Sequence, residues 1–140
     1  MKMLLKIFLA TLLFTFTFSH AFAWENNLEQ AISKAKASNK MLFVIYGREA
    51  CGNCQHLKKM IKDGAVSLKV NQFVIADINC DDKKQSPAFY KRYSSVRGSY
   101  LPFVVITRPD GTLLLSRTGY GKADDYQKLT KEAEKKLSSK

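Results

Sequence analysis

A run of apolar residues followed closely by two cysteines places the strongest limit on how this chain can fold. Residues 41–46 read Met-Leu-Phe-Val-Ile-Tyr, and Cys51 and Cys54 follow with two residues between them. A short, continuous apolar run is typical of a strand that is covered on both faces of a parallel sheet. Beyond the cysteines, apolar residues over 57–61 recur on one face of a helix. The sequence therefore predicts that both cysteines lie at a strand-to-helix turn.

The rest of the chain continues this alternation of helices and strands. Helical spacing over 28–35 follows two N-cap candidates, Asn26 and Asn27, and a second apolar run covers 73–78. Residues 66–70 favour one or two further helical turns, and a helix over 88–96 is expected to end before Gly98. Strands at 103–107 and 112–116 flank the turn pair Asp110-Gly111, and a last helix opens at 124–125. This order predicts an α/β fold with a central mixed sheet and helices on both faces.

Composition and charge fit one globular domain. Of the 140 residues, 46% are apolar, which is too high for a disordered chain, and 3 cysteines are too few for a disulfide-stapled mini-protein. The net charge of +11 is expected to form a basic surface that includes Lys58, Lys62 and Arg97. No basic strand with interleaved aromatic residues stands out, so we assign this charge to solubility and to acidic partners or anionic membranes, not to nucleic acid.

The N-terminus carries the pattern of a secretory signal peptide. Lys2 and Lys6 precede an uncharged run over 7–18, and Ala21-Phe22-Ala23 supplies small residues for cleavage before Trp24. We therefore expect residues 1–23 to be a signal peptide, residues 24–140 to be the functional domain, and the bacterial periplasm to be its location. An uncleaved N-terminal anchor is the alternative.

The spacing of the two cysteines suits reversible disulfide chemistry. A thiol at a helix N-terminus has its thiolate stabilised by the helix dipole and by free N–H groups. Lowering a thiol pKa from about 8.5 to about 7 requires roughly 2 kcal/mol, the upper end of what a helix terminus provides. We expect Cys51 to be the exposed nucleophile and Cys54, one turn into the helix, to be the thiol that resolves the mixed disulfide.

The order strand, C-x-x-C, helix, strand, helix, proline, hairpin and helix resembles the thioredoxin superfamily over nearly all of residues 26–137. More closely, residues 51–60, 66–71 and 73–77 look like the exported group that includes the C-terminal domain of the transmembrane thiol-disulfide interchange reductase. The resemblance implies a thioredoxin-like thiol-disulfide oxidoreductase that needs no bound cofactor and acts on protein disulfides or dithiols. It also implies a membrane thiol-disulfide reductase as electron donor, and we expect a monomer.

Pro102 falls where the family carries a cis-proline beside its cysteines. The resemblance implies that Pro102 faces Cys51, and that the backbone of Leu101 pairs with an extended substrate segment by strand addition. An ordinary trans proline that opens a strand is the alternative.

Three positions depart from the usual pattern of the family. Ala50 replaces the common tryptophan, and Gly52-Asn53 replaces the glycine-proline pair of typical thioredoxins. Ile45 stands where many thioredoxins carry a buried acid, so the usual proton acceptor for the resolving thiol is absent. Asp77, a carboxylate within an apolar run, is our candidate substitute. The alternative is a structural aspartate that is satisfied by a lysine or by backbone groups.

Other interpretations of the cysteines remain open in the sequence. A disulfide oxidase or isomerase would use the same pair, and a non-enzymatic thioredoxin-fold module would hold copper between Cys51 and Cys54. The C-x-x-C-x-H spacing to His56 is not that of covalent haem attachment, and we expect His56 to be an exposed or partly packed helix residue. Cys80 is expected to be a small core residue, with a third redox thiol as the alternative.

Overall fold

The computed structural model describes residues 23–139, so the predicted signal peptide lies outside the described residues except for Ala23. The elements follow the order α1 (Leu28–Ser38), β1 (Met41–Gly47), α2 (Gly52–Lys62), β2 (Phe73–Asn79), α3 (Gln85–Arg92), β3 (Phe103–Thr107), β4 (Leu113–Thr118) and α4 (Ala123–Ser138). No helix within 23–139 combines the length and the apolar character that crossing a bilayer requires.

The sheet is mixed, as the sequence predicts. Its strand order is β2-β1-β3-β4, with β1 parallel to β2 and with β3 antiparallel to both β1 and β4. Every residue of β1 is buried, because this central strand is covered on both faces. Its side chains alternate between the faces: Leu42, Val44 and Tyr46 pack with α1 and α3, whereas Phe43 and Ile45 pack with α2 and α4. The α/β fold with helices on both faces is confirmed.

Local sequence signals fix several of the boundaries. The Asn27 side chain accepts a hydrogen bond from the Gln30 N–H and begins α1. Gly111, with φ of 87°, supplies the left-handed conformation of the turn between β3 and β4. The N-terminal segment joins the sheet edge through one bridge, in which Glu25 pairs with Ala76 of β2.

One predicted helical segment is wrong, and another has different bounds. Residues 66–70 are not helical, because α2 ends at Lys62 and Gly64 with φ of 79° turns the chain away. Beyond that turn the chain is irregular, and Val66 and Leu68 are buried while the residues between and after them are exposed. The helix predicted over 88–96 lies earlier, over Gln85–Arg92, and its apolar signal continues because Val96 is buried by the loop that follows.

Candidate active site

The two cysteines sit where β1 gives way to α2, and they are joined as a disulfide with their Cα atoms 5.2 Å apart. Cys51 is the N-cap of α2, and its Sγ accepts a hydrogen bond from the Cys54 N–H at 3.1 Å. Cys51 is half-buried, whereas Cys54 is fully buried. Cys51 is therefore the more accessible of the two cysteines, and the roles of nucleophile and resolving thiol stay predictions.

Gly47 makes room for the buried sulfur, and sequence reasoning missed its importance. A Cβ on Gly47 would lie 2.6 Å from Cys54 Sγ and 4.0 Å from the Cβ of Pro102. The disulfide and Pro102 therefore approach the same point on the central strand. The available sequence signal for this role was a glycine four residues before Cys51. A glycine at that position also suits an ordinary turn.

The Leu101–Pro102 peptide bond is cis, as the resemblance implies. Pro102 is buried and approaches the same point on Gly47 as Cys54 does, and Leu101 is half-buried against the cluster on the α1 side. That Pro102 faces Cys51 stays a prediction. The Pro102 carbonyl accepts the Gly119 N–H at 2.9 Å, which ties the β4–α4 loop to this corner of the sheet. The proline and the disulfide thus form one compact corner at the end of β1.

Asp77 lies on β2, directly beside Ile45 in the parallel register. Its Oδ2 accepts a hydrogen bond from Lys58 Nζ at 2.7 Å, and the Lys58 side chain is only 11% exposed. Lys58 was predicted to lie on the basic surface, and that prediction is wrong, because one turn beyond Cys54 the helix faces the sheet. The aspartate is therefore satisfied by a lysine, which is the alternative that the sequence left open.

The loop after β1 and the end of β2 meet at Arg48 and Cys80. Arg48 Nε donates to Cys80 Sγ at 3.4 Å, and Arg48 Nη2 lies 3.0 Å from an Asp81 carboxylate oxygen. The contact with Cys80, and more weakly the Asp81 charge, raises the pKa of Arg48 above its usual value. Cys80 is a free, half-buried cysteine that packs at the edge of the core, close to the core position predicted for it.

His56 lies on the exposed side of α2, as expected, with its ring stacked on Tyr120 at 6.1 Å between centroids. Within residues 23–139, no group of three or more histidine, cysteine, aspartate or glutamate side chains is arranged to hold a metal ion.

Comparison with known proteins places this geometry in a family. Residues 28–134 match the model of the thioredoxin-like domain. Human anterior gradient protein 2 homolog is 30% identical over 99 residues, which cover 69% of this chain and 51% of that protein. The mouse protein of the same name matches to the same extent. The chain thus spans about half the length of the curated relatives it matches.

Solved structures share the fold at lower identity. A thioredoxin mutant from Halobacterium salinarum superposes with a TM-score of 0.57 at 21% identity, covering 76% of this chain and 85% of that one. Thioredoxin f2, solved in complex with ferredoxin:thioredoxin reductase, gives a TM-score of 0.62 at 18% identity over 79% of this chain and 94% of that one. With the family match, these findings confirm the predicted thioredoxin-like fold. This chain belongs to the thioredoxin-like domain family.

Proposed function

We propose that this protein is exported and reduces disulfides in other proteins through Cys51 and Cys54. The observation that carries the proposal is the pairing of a half-buried sulfur at the N-terminus of α2 with a fully buried sulfur one turn behind it, beside a cis-proline. The first sulfur is accessible to a substrate disulfide, and the second is held within reach of the first.

The reaction proceeds in two exchanges between sulfur atoms. In the reduced protein the Cys51 thiolate attacks one sulfur of the substrate disulfide, that S–S bond breaks, and the other substrate sulfur leaves as a thiolate. Cys54, once deprotonated, attacks Cys51 Sγ and releases the second substrate thiol. The protein ends with the Cys51–Cys54 disulfide, and the two electrons of its dithiol have passed to the substrate.

The sequence resemblance favours a reductase over an oxidase. Residues 51–60, 66–71 and 73–77 resemble the exported group that includes a reducing domain. A strong oxidant would instead have its reduced form stabilised by a very low thiol pKa, which a measurement of the reduction potential distinguishes.

An extended substrate segment finds unpaired backbone groups at Leu101. Within the described part of the chain, neither its N–H nor its C=O has a hydrogen-bond partner, and the residue lies directly before the cis bond. A substrate strand that pairs with Leu101 brings its cysteine over the disulfide corner, with the main chain supplying the affinity.

We infer further that Asp77, held by Lys58, promotes deprotonation of the buried Cys54. The two side chains are bonded at 2.7 Å on the face of the sheet that α2 covers, and Lys58 lies four residues after Cys54 on that helix. Among the described residues Asp77 makes no hydrogen bond to Cys54. We therefore assign it an indirect role as a positioning residue that acts through Lys58.

Asp77→Asn is expected to slow the second exchange more than the first, because only the second needs the Cys54 proton removed. Rapid quenching with alkylating agent, followed by mass analysis, would follow the mixed disulfide on Cys51 as it accumulates. Asp63→Asn is the matched control, because Asp63 bonds the neighbouring Lys59 at the exposed surface. Equal resolution rates in the two variants would contradict the role of Asp77.

Export and a membrane electron donor complete the proposal. The signal-peptide pattern over 1–23 supports a periplasmic location, and oxidation of the pair in each cycle requires a partner that returns two electrons. Thioredoxin f2 has been solved in complex with a dedicated reductase. For this protein we propose that a membrane thiol-disulfide reductase donates the electrons. We also propose that the protein works as a monomer.

The reduction potential tests the direction of transfer. Equilibration against glutathione and dithiothreitol buffers, with alkylation and mass readout, gives the potential of the Cys51–Cys54 pair. A value near the roughly −270 mV of thioredoxin is expected for a reductase. A value of about −120 mV would contradict the proposal and indicate a disulfide-forming role instead.

A further inference from the structure

Two exposed tyrosines stand at the disulfide end of the molecule without a packing role that accounts for them. Tyr100 is 76% exposed and Tyr120 is 52% exposed, and they are among the few large hydrophobic residues that the fold leaves in solvent. By contrast, Tyr93 is buried. Large apolar side chains clustered on a surface mark a site of interaction.

Both tyrosines are held in place by the loops that meet at Pro102. Gly119 has φ of 80° and donates its N–H to the Pro102 carbonyl at 2.9 Å. The Cβ of Tyr100 lies 3.7 Å from the point where a Gly119 side chain would begin, so Tyr100 packs against that loop. The loop position of Tyr120 is fixed in turn by Arg117 Nη2, which donates to the Tyr120 carbonyl at 3.0 Å.

Both tyrosines are linked to the elements that carry the disulfide and the cis-proline. The Tyr120 ring stacks on His56, which follows Cys54 by two positions on α2. Tyr100 precedes Leu101, whose peptide bond to Pro102 is cis. A segment that pairs with Leu101 and presents its cysteine to Cys51 would therefore run close to both tyrosines.

We propose that Tyr100 and Tyr120 select the substrate, which is an extended polypeptide segment with large apolar side chains on either side of its cysteine. The inference rests on the proposed function, because it concerns the same disulfide site. Aromatic rings bury a large apolar area and add a favourable geometry when they meet other rings. Segments of this kind are exposed in unfolded or partly folded proteins and are hidden in folded ones.

A single-turnover reaction tests the selection. The protein is reduced with dithiothreitol, desalted, and mixed with one of two octapeptides that carry a single cysteine as a mixed disulfide with glutathione. The peptides are identical except for phenylalanine or serine on both sides of the cysteine. The Cys51 thiolate displaces glutathione from the peptide sulfur, and Cys54 then releases the peptide thiol and closes the protein disulfide. The ratio of the two peptide rates is the quantity of interest.

The wild-type protein is expected to react about tenfold faster with the phenylalanine peptide, the size of effect that aromatic contacts and their buried area produce. In the double variant Tyr100→Ser/Tyr120→Ser the ratio should fall to about one. Because the ratio is taken within each protein, it cancels any change in the reactivity of Cys51 that both peptides share.

Val70→Ser is the matched control, since Val70 is 57% exposed but lies in the loop before β2, at the opposite end of the strands. It should keep the wild-type ratio. A wild-type ratio near one, or a ratio that survives loss of both tyrosines, would overturn the inference while leaving the reductase proposal intact. Failure of the reduced wild-type protein to react with either peptide would instead contradict the proposed function itself.

Discussion

Replacing Gly47 by alanine should damage the oxidised protein more than the reduced one. The new Cβ would lie 2.6 Å from Cys54 Sγ and 3.2 Å from Cys54 Cβ, closer than non-bonded atoms of this size approach. Gly47 does not have the positive φ that disfavours side chains, so the effect is steric alone. One of the two groups must move, and both residues are buried.

The size of the effect follows from how far Cys54 can move. Overpacking of a well-packed core costs about 1–3 kcal/mol. In the dithiol form the Cys54 side chain is free to change rotamer, whereas in the disulfide form its sulfur is bonded to Cys51. We therefore expect about 2 kcal/mol of lost stability in the oxidised protein and less in the reduced protein. Each 1.4 kcal/mol of difference raises the reduction potential by about 30 mV, because the disulfide form is the one destabilised.

Urea unfolding of the oxidised and reduced forms, combined with the redox equilibrium against glutathione, measures both quantities. Gly52→Ala is the control, because a Cβ at Gly52 meets nothing within 4 Å and the residue is exposed at the start of α2. The control should keep its potential and lose no stability. If the two variants gave the same unfolding midpoints and the same potential, the close approach of Cys54 to β1 would have no energetic meaning.

Two further predictions concern Tyr93 and Cys80. Burial raises the pKa of Tyr93 to about 12, and its hydroxyl donates to the Gly111 carbonyl at 3.1 Å. Because the folded pKa lies above the usual value of about 10, the stability from the neutral hydroxyl is complete below pH 10 and is lost as the pH rises toward 12. In Tyr93→Phe the free energy of unfolding in urea should fall less over that range, by an amount on the order of 2 kcal/mol. An equal fall in both proteins would contradict the assignment. When the oxidised protein is unfolded in iodoacetamide, it should take up one alkyl group, at Cys80. Alkylation at Cys51 or Cys54 instead would reveal that Cys80 is bridged to the other cysteine of the pair.

The parts of the fold that the sequence predicts are those decided by short stretches of chain. The apolar run over 41–46 is long enough to specify a covered strand, and the Asp110-Gly111 pair specifies the hairpin turn. The order of strand, cysteines and helical apolar spacing likewise predicts a strand-to-helix turn at the cysteines, and Cys51 is the N-cap of α2. Where two signals compete, the prediction fails. The apolar residues of 66–70 suit a helical face, but the chain turns at Gly64, and Val66 and Leu68 are buried without helical structure.

The features that escaped prediction depend on residues far apart in the sequence. From the sequence alone, Lys58 is one of many basic residues. Its partner Asp77 lies 19 residues away in the sequence, and the parallel register of β1 and β2 places Asp77 beside Ile45, under α2. Nothing local to either residue specifies that register. The same holds for Gly47, whose lack of a side chain matters only because the disulfide and the cis-proline converge on it. A buried lysine on α2 is tolerated because its charge is paired, and removing the carboxylate alone would leave that charge uncompensated. For this reason Lys58→Met/Asp77→Leu should be more stable to urea than Asp77→Leu alone, and the reverse order would mean that the ion pair is not what keeps the lysine buried.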